Sequence, residues 1–97
     1  MDNQIIIING DNFSDLESFY DEIDRVLTKD LEWETGHNLD AFNDLLRGGF
    51  GVYEYFEPVK IVWTKFSESK EKLGNELIDT LLEIITDHDH IEFETRD

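Results

Sequence analysis

Three groups of residues in this chain have types and spacings that could do chemistry. His88-Asp89-His90 puts two imidazoles two positions apart, so on an extended strand both would face one side and could share a metal ion. The spacing specifies no third ligand, and a histidine just after a helix also interacts favourably with the helix dipole. Asp40 and Asp44 are a carboxylate pair, but glycosidic acid–base work needs two carboxyls facing each other across a cleft. One helical turn apart, these two stand side by side. The acid-rich stretch from Asp11 to Glu17 lacks the central glycine and the spacing of a calcium-binding loop, and reads as a turn and a helix cap.

Other chemistries fail on inventory. No serine lies in a G-x-S-x-G context. Gly48-Gly49-Phe50-Gly51 has neither the lysine nor the strand-to-helix setting of a phosphate loop. Cysteine is absent, which removes disulfides, thiolate catalysis and thiolate metal sites. The expectation is a protein that is not an enzyme and that carries no cofactor and no metal.

Charge narrows the partners. Twenty-four acids against eight bases give a formal charge of −16 on 97 residues. Such a field repels nucleic acid and anionic membrane and attracts basic proteins, and basic patches for nucleic acid are missing. The opening MDNQIIIING has no basic region, and its isoleucine run is too short for a signal peptide or a membrane span. A cytoplasmic protein, monomeric when free, is the expectation.

These residues must be positioned by elements that the hydrophobic pattern outlines. Ile5 to Ile8 form a β-branched run suited to a strand buried on both faces of a parallel sheet. Ser14-Asp15-Leu16-Glu17 matches a capping box. Leu16, Phe19, Tyr20, Ile23, Val26 and Leu27 follow with helical spacing, predicting a helix over 15–28. Residues 29–37 read as a loop, Asn38 as the cap of a second helix, and Gly48-Gly49 as its end. The aromatic stretch 50–58 follows, in which Tyr53, Tyr55 and Phe56 are expected to cover the core, a second contact patch being the other use of such residues.

Val59 to Trp63 reads as a strand, 67–73 as a short helix ended by Gly74, and Asn75 as the cap of a helix carrying Leu77, Ile78, Leu81, Leu82, Ile84 and Ile85. Ile91 to Thr95 alternates as a half-exposed strand. The order β-α-α-β-α-α-β predicts an α/β fold, a small three-stranded parallel sheet with about four helices. With no linker or repeat, residues 1–97 are expected to form one domain.

Within the second helix, Leu39, Phe42, Leu45 and Leu46 make an apolar stripe, and Asp40, Asn43, Asp44 and Arg47 make the opposite one. Solvation alone explains many such stripes. Asp40, in the first turn, also gains from the dipole; Asp44 does not, although Arg47 at i+3 compensates part of its charge.

The stretch GHNLDAFNDLL resembles the signature of the barstar family of ribonuclease inhibitors, Gly-x-Asn-Leu-Asp-Ala-x-x-Asp-x-Leu, through Gly36, Asn38, Leu39, Asp40, Ala41, Asp44 and Leu46. The rest agrees in order: a strand ending Ile8-Asn9-Gly10, a helix beginning Ser14-Asp15-Leu16, a strand ending in Trp63, then Phe66 and Ser69-Lys70, a helix and a last strand. The resemblance implies a one-to-one complex with an extracellular or toxin ribonuclease, whose basic active-site cleft is plugged by the helix of Asp40 and Asp44 and the loop before it. It also implies a contact from a glutamate on the last helix, matched here by Glu83. Where the family pattern has two tyrosines before the glycine this chain has Glu34 and Thr35, and Asn43 replaces a tryptophan. Trp33 and Phe50 are the aromatic residues nearest to hand. The implied contact set is therefore Trp33, Glu34, Thr35, Gly36, Asn38, Asp40, Asn43, Asp44, Arg47 and Glu83. Two other uses of the chain stand beside inhibition: a non-inhibitory acidic adaptor, and a small metal-dependent enzyme built on His88 and His90.

Overall fold

A computed structural model describes residues 4–28 and 36–97. Within them three strands, β1 (Gln4–Asn9), β2 (Val59–Thr64) and β3 (Ile91–Thr95), alternate with pairs of helices: α1 (Leu16–Leu27) and α2 (Leu39–Arg47), then α3 (Phe66–Leu73) and α4 (Asn75–Thr86). The strands lie in the order β1-β2-β3 and both pairings are parallel. Parallel neighbours need long crossovers, which the helix pairs supply. The expected α/β architecture is present in full.

Register pairs Ile6 with Ile61 and Ile8 with Trp63, and on the other side of β2 pairs Ile61 with Phe93 and Trp63 with Thr95. Ile6, Ile8, Ile61 and Trp63 are buried with Phe19, Ile23, Phe42, Leu46, Ile78, Leu81 and Ile85, so one face of the sheet and all the long helices share one core. Successive strand residues point to opposite faces. The other face of β1 is therefore open, with Ile5 58% and Ile7 44% exposed. The isoleucine run is not buried on both faces as expected: β1 is an edge strand, and the helices pack against the Ile6 and Ile8 side.

Two caps also differ from expectation. Asp15, not Ser14, caps α1: its carboxylate accepts from the Ser18 N–H at 2.8 Å, and Ser18 Oγ accepts in return from the Asp15 N–H. Both boxes were available within five residues, and the one formed leaves Glu17 free to bond elsewhere. Asn75 is the first residue of α4 rather than its cap; that place falls to Gly74, which makes no side-chain bond. Asn38 does cap α2, accepting from the Ala41 N–H at 2.8 Å. Gly48 ends that helix at φ +97, where an added Cβ would lie 2.4 Å from the Glu54 carbonyl oxygen, so only glycine fits the turn.

A buried carboxylate ties the first turn together. Glu22 receives the Asn9 N–H at 2.8 Å, the Asn12 amide at 3.0 Å and both Arg25 donors at 2.7 Å. Burial pushes its pKa up, but the bonds from Arg25, Asn9 and Asn12 outweigh that and hold it below the usual carboxylate range.

Candidate functional site

The segment 36–47 holds most of the residues singled out above, and its hydrogen bonds explain why it presents them rigidly. Phe42, Leu45 and Leu46 are buried, which fixes the rotation of α2 and turns Asp40, Asn43, Asp44 and Arg47 away from the core. Histidines secure both ends. At the entrance, His37 lies against α1, its Nδ1 2.5 Å from Glu17 and its Nε2 3.0 Å from Asp24, with its ring stacked on Tyr20 at 5.6 Å. Hydrogen bonds to Glu17 and Asp24 raise its pKa to about 9, so it is a cation at neutral pH.

At the far end, His88 lies 2.7 Å from Asn43 Oδ1 and His90 lies 2.9 Å from the Leu46 carbonyl oxygen, each through Nε2. Burial, then the charges of His90 and Arg47, lower the pKa of His88; Asn43 Oδ1 can only accept, so the ring nitrogen donates to it.

The two histidines do not take the side-by-side strand geometry by which they could have shared a metal ion. They sit in the turn before β3, with rings 5.5 Å apart and 81° to each other, and each Nε2 is committed to a protein acceptor on α2. Among the described residues, no group of three or more His, Asp or Glu is arranged to hold a metal ion.

Residues from two helices far apart in sequence meet on one groove. Leu39, Asp40 and Asn43 of α2 face Glu83 and Ile84 of α4, and Asp87 at its C-terminal cap, across a cleft of about 350 Å3. The cleft is open, and three of its six walls are exposed carboxylates. Asp40 also borders a second hollow on the α1 side, lined by Glu17, Tyr20, His37 and Asn38, so it stands on a ridge between the two. Asp44 is one turn further along, exposed, and 3.2 Å from Arg47 Nη1. Exposed carboxylates gathered on an open cleft can accept charge-assisted hydrogen bonds from guanidinium and ammonium groups.

The expected residues thus fall into four groups. Asp40, Asn43 and Glu83 come together in the groove. Asp44 and Arg47 pair beside it. Asn38 is held as a cap, and Gly36 is exposed at the loop end, where an added Cβ would lie 3.3 Å from the Asn38 amide nitrogen. Trp33, Glu34 and Thr35 lie outside the described residues. Three contributors escaped the sequence: Asp87, one turn after Glu83, and the clamps His37 and His88. Helical spacing from Glu83 could have found the first, whereas loop histidines carry no periodic signal.

The arrangement is an open groove with acidic walls on an α/β scaffold. The family model of barstar, described as the barnase inhibitor, matches residues 3–96, and the chain belongs to that family. Its members are inhibitor proteins rather than enzymes and bind barnase-type ribonucleases. No curated protein matches the chain. No helix among the described residues is long and apolar enough to cross a membrane.

Proposed function

We propose that this protein is an immunity-type inhibitor of a barnase-type ribonuclease, acting in the cytoplasm on an enzyme that is otherwise secreted or delivered as a toxin. It blocks the active site one-to-one. The carboxylates of Asp40, Asp44 and Glu83 occupy positions that RNA phosphates take in the enzyme's basic cleft and pair with its Arg, Lys and His side chains. Asn43 supplies an amide at the centre of this face. The observation that carries the reading is the convergence of Asp40 and Asn43 on α2 with Glu83 on α4 and Asp87 at its end around one open groove. A solvated acidic helix would need no such second wall. Excess negative charge adds long-range attraction, which speeds encounter with a basic enzyme at low salt.

The test is a titration of RNA cleavage by barnase, and by any ribonuclease encoded beside this chain, with the purified protein. Cleavage falling linearly to zero at one equivalent supports inhibition. Binding that leaves cleavage intact would make the protein an adaptor and overturn the proposal.

A further inference from the structure

Tyr55 and Phe56, expected to cover the core, do not. Tyr53 of the same loop is buried, its hydroxyl donating to the Leu46 carbonyl at 2.7 Å. Its two neighbours are 61% and 58% exposed and touch each other edge-on at 5.3 Å. Open aromatic rings forgo hydrophobic stabilisation. Phe56 also sits at φ +58, a conformation that bulky residues rarely adopt. Such strain persists only where the surroundings enforce it, and it concentrates at functional sites.

The loop does enforce it. The Phe56 N–H donates to the Arg47 carbonyl at 2.8 Å, the Gly49 N–H to the Tyr53 carbonyl at 2.8 Å and the Glu57 N–H to the Glu54 carbonyl at 3.1 Å. The Tyr55 ring rests where a side chain on Gly49 would be, since a Cβ there would lie 2.8 Å from it.

The pair is continuous with the acidic face. Phe56 meets His90 edge-on at 5.5 Å, His90 meets His88, and His88 donates to Asn43 in the groove. Charge selects the occupant. Exposed Glu54 and half-buried Glu57 flank the rings, and an aromatic face attracts cations. A second copy would bring the same carboxylates and a net charge of −16 against this patch; a basic enzyme brings arginine and lysine. At about 60% exposure the two rings offer roughly 200 Å2. That is about a quarter of the ~800 Å2 a standard interface takes from one partner.

The geometry points to Tyr55 and Phe56 as a second contact of the nuclease-binding face, receiving an arginine or lysine side chain of the ribonuclease outside the groove. This rests on the inhibitor reading. Its test uses the full chain with Tyr55→Ser and Phe56→Asn, asparagine being tolerated at positive φ. Barnase is the probe, thermal melting controls for folding, and Asp44→Ala runs in parallel. Each aromatic variant should melt like the parent and dissociate about tenfold faster, with association and its salt dependence nearly unchanged. If both variants dissociate like the parent while Asp44→Ala weakens inhibition, the second contact is wrong and the inhibitor reading stands. A parent chain that leaves both barnase and any ribonuclease encoded beside it fully active removes the reading and this contact together. A parent dimer in sedimentation that Phe56→Asn dissociates would assign the rings to a second copy and overturn the inference.

Discussion

Replacing Asp44 by alanine separates a binding role from a structural one, because the two have very different sizes at this position. Asp44 is exposed and, among the described residues, is paired with Arg47 at 3.2 Å, an i,i+3 surface pair. Such pairs are worth about 0.3–0.5 kcal/mol. Asp40 lies one turn earlier, and removing the repulsion between the two carboxylates returns a similar amount. The net change in folding free energy is within ~0.5 kcal/mol, so the melting midpoint of a domain this size moves by no more than about 3 °C. In the proposed complex the same carboxylate is desolvated against a cationic group, and the variant loses one or two charge-assisted hydrogen bonds. At ~1.5–3 kcal/mol each, and with partial compensation by water, that is about 2–4 kcal/mol. Inhibition should weaken roughly thirty- to seven-hundred-fold. Thermal melting and a titration of RNA cleavage, run on the same preparation, give both numbers. Inhibition equal to the parent's would refute the reasoning, as would a loss of stability large enough to account for any loss of inhibition.

Three further outcomes follow from the fold that holds this face. Glu22→Gln leaves the buried Asn9 N–H facing an amide group in place of a carboxylate oxygen, and should cost about 2–3 kcal/mol in urea unfolding at pH 7. Because the folded pKa of Glu22 lies below its ordinary 4.5, its contribution is present above that pH; the gap between parent and variant should close as pH falls further. His37→Gln should show the opposite dependence: a pKa raised from 6.5 to about 9 makes the stabilisation complete below pH 6.5 and lost as pH rises through 9, as denaturation from pH 6 to 10 would record. Gly48→Ala, forced to hold φ +97 with its Cβ against the Glu54 carbonyl, should destabilise by about 2 kcal/mol or more in thermal unfolding and fray the end of α2.

Much of this molecule was legible before its structure. Apolar spacing located the three strands and α1, α2 and α4, because each buries one stripe and repeats it with its own period, while α3 was marked by the glycine that ends it. The glycine pair ended α2 where expected, and the stripe of Asp40, Asn43, Asp44 and Arg47 followed from the burial of Phe42, Leu45 and Leu46. What escaped depends on partners distant in sequence. Four adjacent isoleucines do not say how many faces of the sheet a helix will cover, and Ile5 and Ile7 proved open. Ser14 and Asp15 offer overlapping capping boxes, and the choice between them fits the demand that His37 makes on Glu17. Glu22 reads as one more acid on an acidic helix until Asn9 and Asn12 are brought to it. Glu83 entered through family resemblance alone, since no local pattern sets it opposite Asp40; the packing of α4 beside α2 does.

The central claim is that the α2–α4 face, and not the open sheet, grips the enzyme. A backbone-amide NMR map of the chain with and without one equivalent of a ribonuclease it inhibits tests this most directly. The expected result is that perturbations cluster on Asp40, Asn43, Asp44, Glu83 and Asp87 while Ile5 and Ile7 are unmoved. Full inhibition with perturbations confined to β1 and an unchanged α2 would contradict it.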